Sequence, residues 1–143
     1  MKANELTDGI YVYFNCFDGS KIIVKVTGFK DGVVYGVSKT GSHWCTIEKV
    51  EPIPITPEIL EKNGFVCTQK ADEMETAYEC WSFHDGLLSI VFEPDVVMLE
   101  VHNGGENGDA VRTMTYYTDN DIMYLHELQH ALILCKIEKK IEL

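Results

Sequence analysis

The sequence predicts an α+β protein. An N-terminal SH3-like small antiparallel β-barrel is followed by an antiparallel β-sheet, with a short helix and a C-terminal helix packed on that sheet. Three observations predict this. Short runs rich in Val, Ile, Tyr and Phe recur through the first fifty residues, with Asp-Gly or Thr-Gly between them, as strands joined by tight turns do. Two prolines one residue apart, Pro52 and Pro54, then interrupt the pattern. Helix signals stand just after those prolines and again near the end. A chain of 143 residues suits one ordinary domain or two very small ones. The expected division is 1–53 for the barrel and 54–143 for the α+β region.

Each element has its own local reason. Asp18-Gly19 separates IYVYFNCF from KIIVKVTGF, Asp31-Gly32 separates that run from VVYGVS, and Thr40-Gly41 separates VVYGVS from HWCTI. Asp-Gly suits the type I′ turn because both central residues need positive φ. The stretch Val50-Glu51-Pro52-Ile53-Pro54-Ile55 must be extended, since proline fixes its own φ and disfavours helix in the residue before it. It reads as a connector leaving the barrel. In TPEILEKNG, Thr56 is placed as N-cap, Pro57 at the first helical position and Gly64 at the end, with Ile55 and Leu60 as a hydrophobic staple. Residues 66–77 show little periodicity, and QKADEMET reads as a solvated loop. YECWSFH and LLSIVFE flank Asp85-Gly86, while VVMLEVH and AVRTMTYY flank NGGENGD, so a four-stranded antiparallel sheet is expected. The last helix is expected from about 119 to 135, or on to 140, capped by Thr118 with Asp121 in its first turn and Tyr117 and Ile122 as a staple. Lys136, Lys139 and Lys140 fall near its far end, where positive charge is favoured.

Composition excludes several function classes. The formal charge is −11, from 23 acidic and 12 basic residues. Phosphate-backbone affinity rests on Lys and Arg, and Arg112 is the lone arginine, so no direct nucleic-acid binding is expected. An acidic chain can instead bind a basic partner or act as a DNA-mimic type inhibitor, although most acidic surfaces are simply solvated. Cys16, Cys45, Cys67, Cys80 and Cys135 are odd in number and contain no C-x-x-C pair, and MKANELTDGI has no apolar run. These features read as buried or idle thiols in a reducing cytoplasm. Apolar runs such as LLSIVF are too short to span a bilayer, so no membrane partner is expected.

The stretch His126-Glu127-Leu128-Gln129-His130 fits the zinc-peptidase pattern H-E-x-x-H. Residues at i and i+4 share a helix face, so His126 and His130 could hold one zinc while Glu127 activates a bound water as general base. A catalytic zinc usually takes three protein ligands. After His130 the chain continues the same helix or its tail, and the metzincin glycine and third histidine are replaced by Ile133 and Lys136. The upstream candidates are His84, His102, Asp85 and Glu100. With five histidines and many glutamates, shuffling these letters yields the pattern in roughly one chain in a hundred. The bland reading is a packed helix. Tyr124, Leu125, Leu128, Ala131, Leu132 and Cys135 form one apolar stripe, and Ile122, Met123, Ile133 and Ile137 form a second. His126 and His130 lie in or beside the second strip, as hydrogen-bonded histidines at a sandwiched face or at a contact with another chain. Zinc is therefore the alternative cofactor, and the first expectation is no cofactor and no catalytic residue.

Other patterns are weaker. HNGGENGDAV lacks the Lys-Ser/Thr ending of a phosphate loop and the alternating acids of a calcium-binding hand, and reads as a hairpin tip. Cys80 and His84 have the residue types of a thiol nucleophile and its base, but on a strand they would stand roughly 13 Å apart. Trp44 and Trp81 could line a peptide groove; core or half-buried strand positions are the simpler expectation.

Three stretches carry a resemblance. MKANEL opens the chain, EPIPITPEILEKNGF lies in its middle and YLHELQ starts the last helix. In this order they resemble a family of small uncharacterised proteins of gut anaerobic bacteria, their phages and prophages. That resemblance implies no activity and no catalytic residues. In the family pattern asparagine usually follows Leu-Gln where this chain has His130, and glutamine often stands at the position of Glu127, so a two-histidine zinc site is not implied. This chain departs from the pattern at TDGI, after MKANEL, and in its tail ALILCKIEKKIEL. The functional expectation is a non-enzymatic protein-interaction protein of a phage or mobile element. Its partner is an unidentified protein, or a second copy through the C-terminal helix. The alternatives are a zinc-dependent hydrolase and an acidic DNA mimic.

Overall fold

The computed structural model describes residues 3–70, 78–83, 88–93, 96–104, 110–117, 123–134 and 137–143. Among the described residues it is an α+β structure with two antiparallel five-stranded sheets and two α-helices. The chain forms two compact units, one of Met1–Pro54 with Tyr124–Ala131 and the other of Ile55–Met123 with Leu132–Leu143. Residues 124–131, expected within the 54–143 region, are thus grouped with the N-terminal unit.

The first unit contains β1 (Tyr11–Asn15), β2 (Lys21–Lys30), β3 (Val33–Ser38), β4 (Gly41–Thr46) and β5 (Val50–Pro52), in the order β4-β3-β2-β1-β5. Short 3₁₀ turns occupy Ala3–Glu5 and Ile47–Lys49. Asp31 and Gly32 both have positive φ, 51° and 79°, as a type I′ turn requires. The loop after β1 is wider. Cys16 donates its N–H to the Ser20 carbonyl at 2.8 Å, and the Asp18 carboxylate accepts from the Ser20 N–H and hydroxyl. The third loop is Lys39-Thr40, between the paired Ser38 and Gly41, one residue earlier than the Thr-Gly punctuation indicates.

Alternation along these strands sends Ile10, Val12, Phe14, Val24, Val26, Val34 and Val50 into one core. Gly36 lies opposite Val26, where a Cβ would meet Val24 Cγ1 at 2.2 Å and the Lys25 carbonyl oxygen at 2.7 Å. Only glycine fits this contact without moving β2.

Two expectations for residues 1–55 are corrected. Among the described residues the sheet is not closed into a barrel: β4 and β5 are its two edges. Val50–Pro52 is also no mere connector, since Phe14 pairs with Val50, Tyr13 with Glu51 and Val12 with Pro52. Proline is tolerated on an edge strand because its missing N–H removes no ladder bond there.

The second unit contains α1 (Pro57–Lys62) and β6 (Val66–Gln69), β7 (Glu79–Phe83), β8 (Leu88–Glu93), β9 (Val96–Gly104) and β10 (Ala110–Tyr117), a meander in the order β10-β9-β8-β7-β6. α1 is as the sequence predicts. Thr56 Oγ1 accepts the Ile59 N–H, and Pro57 opens the helix. At its end Phe65 N–H reaches the Leu60 carbonyl and Gly64 N–H the Glu61 carbonyl, the two bonds of a Schellman ending. Phe65 stacks on Phe83 with centroids 4.9 Å apart. Buried Asn63 donates to the carbonyls of Ile59 and Glu142 and accepts the Glu142 N–H, tying the tail to the helix. The sheet has one strand more than expected. β6 escaped the pattern because it is an edge strand with Val66 turned to solvent, 64% exposed.

The final helix, α2, spans Leu125–Leu134. It cannot begin earlier, because Tyr124 is extended in an antiparallel bridge with Pro54. Thr118, Asp121, Ile122, Cys135, Lys136, Asp85-Gly86, most of QKADEMET and the tip of NGGENGD lie outside the described residues.

Gly36→Ala is expected to lower unfolding free energy by about 1–3 kcal/mol through overpacking, read as a reduced urea midpoint with unchanged m-value.

Candidate functional site

The first turns of α2 carry the HELQH residues, all within the first unit. Leu125 N–H donates to the Ile53 carbonyl at 2.8 Å, and Leu128 and Glu127 N–H groups both reach the Tyr124 carbonyl. Tyr124 therefore stands at the N-cap position. The Glu127 carboxylate accepts the Tyr124 N–H at 2.8 Å, the reverse arm of a capping box. The proposed general base is thus turned back to its own helix start.

Gln129 and His130 face the N-terminal segment. The Gln129 side-chain oxygen accepts the Tyr11 N–H at 3.0 Å, and its amide donates to the Gly9 carbonyl at 3.4 Å. His130 Nε2 is hydrogen-bonded to Thr7 Oγ1 at 2.9 Å. His126 is buried, 5% exposed. It stacks on the Tyr124 ring and meets the His130 ring edge-on, both at 6.0 Å between centroids. Its Nδ1 has no hydrogen-bond partner among the described residues. Burial strips water from the imidazolium form and pushes the His126 pKa down to about 4; Glu5 opposes this and His130 adds to it.

The zinc reading meets these positions unevenly. His126 and His130 are neighbours, yet His130 is engaged by Thr7 and Glu127 by the helix start. Among the described residues no group of three or more His, Cys, Asp or Glu side chains is assembled for a metal. Of the upstream candidates, His84 and Asp85 lie outside the described residues, and Glu100 and His102 belong to β9 of the second unit. In the first apolar stripe Leu125, Leu128, Ala131 and Leu132 are buried; in the second, Met123 is buried and Ile133 is 65% exposed.

The other candidates separate. His84, the partner expected for Cys80, lies outside the described residues. Cys16, Cys45, Cys67 and Cys80 are free thiols, and burial raises the Cys45 pKa to about 11. Trp81 is in the core at 4% exposure, as the simpler expectation holds, whereas Trp44 is 70% exposed. Trp44 pairs across β3–β4 with Tyr35, and Val37 pairs with Ser42 on the same face. Tyr35, Val37 and Ile23 are each 40% exposed or more. The sequence offers Trp44 as a groove residue but makes a core or half-buried position the simpler expectation, and for Trp44 that simpler expectation is corrected by its exposure. The signal was present in GSHWCT: Ser42 and Thr46 share a strand face with Trp44, and hydroxyl residues at period two mark a solvent side.

No family model, curated protein or solved structure matches this chain. Among the described residues no helix is long and apolar enough to cross a membrane.

Two outcomes follow from the helix contacts. Glu127→Ala is expected to cost about 0.5–2 kcal/mol as a lost cap, while Glu127→Gln, which can still accept the Tyr124 N–H, should stay near the parent stability in thermal denaturation. The unfolded chain protonates His126 near pH 6.5, the folded chain only near pH 4. Between these values the unfolded state binds more protons, so this contribution to stability is full above pH 6.5 and is lost as pH falls through about 4. A His126→Leu variant should show a flatter stability curve than the parent over that window in urea titrations.

Proposed function

We propose that the protein is a non-enzymatic protein-interaction protein of a phage or mobile element, and that it docks its partner on the outer face of β3 and β4. The observation that carries this reading is Trp44, 70% exposed beside Tyr35 at 44%. Exposed aromatic pairs of this kind are enriched among residues that dominate interface energy. Contiguous exposed apolar surface on a soluble domain marks interaction sites more often than isolated apolar residues do. The family resemblance of MKANEL, PIPIT…LEKNGF and YLHELQ supplies the phage association. An SH3-like ancestry for the first unit draws on its five strands, on β5 lying beside β1 and on the 3₁₀ turn at Ile47–Lys49 just before β5.

The test is capture of partners from lysogenic or infected cells with parent protein and with a Tyr35→Ser/Trp44→Ser double variant. A partner bound at least about tenfold more weakly by the double variant supports the reading. Equal capture by both proteins, or turnover of any substrate that depends on one polar side chain, overturns it. The competing zinc-hydrolase reading draws on the buried His126 Nδ1 and its proximity to His130. It requires near-stoichiometric zinc in purified protein, lost in His126→Ala and His130→Ala, and elemental analysis decides it.

A further inference from the structure

The two edges of the first sheet differ sharply. β5 is three residues long and ends at Pro52, a blunted edge. β4 runs for six residues, Gly41–Thr46, and contains neither proline nor a charged residue. Its neighbour β3, Val33–Ser38, is also free of charge, in a chain where 24% of residues are charged. Native proteins usually protect a long edge with charge, proline or a bulge, and β4 has none of these.

The ladder phase tells which backbone groups of β4 face outward. Ile47 N–H donates to the Gly32 carbonyl at 3.0 Å, so Gly32 and Ile47 form a hydrogen-bonded pair. Antiparallel pairs alternate. Cys45, His43 and Gly41 therefore turn their backbone groups toward β3, and Thr46, Trp44 and Ser42 turn theirs to the free edge. This set is symmetric about Trp44.

We infer that the β4 edge pairs with β4 of a second copy of this chain, antiparallel and centred on Trp44, making one continuous sheet across a twofold axis. In that register Trp44 faces the partner's Trp44, and Ser42 faces the partner's Thr46. All the outward N–H and C=O groups of Ser42, Trp44 and Thr46 are then used, about six hydrogen bonds in total. Cross-strand neighbours share a face, so Tyr35, Trp44, the partner's Trp44 and the partner's Tyr35 form one aromatic row. Charge selects this occupant over a foreign strand. An acidic protein of net charge −11 attracts basic segments, but β3 and β4 carry no carboxylate of their own, and Glu48, just past β4, is already hydrogen-bonded by the Thr46 side chain. A second β4 needs none, and the neutral strip lets two acidic chains meet without placing like charges opposite each other. The inference shares Trp44 with the docking face proposed above but rests on the backbone edge.

Sedimentation velocity over a concentration series tests it on parent, Trp44→Glu and Thr46→Pro proteins, with circular dichroism melts to verify folding. Thr46 already has φ −74°, within the range of proline, and its N–H faces outward, so Thr46→Pro removes an edge donor together with the side-chain hydrogen bond from Thr46 to Glu48, and leaves the β3–β4 ladder and both aromatics in place. The expected result is a concentration-dependent dimer for the parent. Trp44→Glu, which sets two carboxylates opposite each other, and Thr46→Pro should each weaken it at least about tenfold. A parent that stays monomeric at several hundred micromolar overturns the inference, as does a dimer that persists in both variants and dissociates in Ile133→Glu on α2. Loss of the dimer in Thr46→Pro with partner capture intact separates the edge from the docking face.

Discussion

The side-chain amide of Gln129 holds the start of the first sheet to the last helix. It takes the N–H of Tyr11, the first residue of β1, and returns a donor to the Gly9 carbonyl. A backbone N–H withdrawn from water costs about 1–3 kcal/mol if left unmade, so this pairing governs what else can lie nearby. With Gln129 fixed, its neighbour His130 reaches Thr7, and His126, one turn earlier, is buried against Tyr124 and His130. Residues just after MKANEL are thereby joined to residues of the HELQH helix.

Letter pattern and chemistry part company in HELQH because a zinc site needs more than i, i+4 spacing. The spacing does place the two rings side by side, 6.0 Å between centroids. What it leaves open is each side chain's other commitments. Glu127 lies three residues after Tyr124, where a carboxylate closes a helix start. His126 carries a buried Nδ1 and a depressed pKa, so at neutral pH it is an uncharged imidazole in a desolvated position. The same residue types serve a metal site or a packed helix, and their neighbours decide which.

The first sheet shows how the same strands serve folding on one side and contact on the other. Val12, Phe14, Val24, Val26 and Val34 fill the core, and Gly36 permits the close approach of β3 to β2. The opposite face bears Tyr35, Val37 and Trp44, with little to cover them. Acidic residues keep the protein as a whole strongly negative, and the neutral β3–β4 strip stands out against that background.

Much of the fold was legible because its signals are local. The I′ turn at Asp31-Gly32, the Thr56–Pro57 start and Gly64 end of α1, and the strands from β7 to β10 all follow from neighbours within a few residues. Edge elements were harder to read: β6 and β5 show little apolar alternation because one side of each faces no other strand. The sequence by itself determined the α+β class, the Asp31-Gly32 turn and the helical setting of His126 and His130. Tertiary structure alone decided that the sheet of β1 to β5 stays open, that Glu127 caps a helix, that Gln129 binds β1 and that Trp44 lies in solvent. Local propensity acts over a turn or a strand, whereas these outcomes depend on which distant backbone donor or apolar surface comes to lie beside each residue, and one chain of letters does not encode that distance directly.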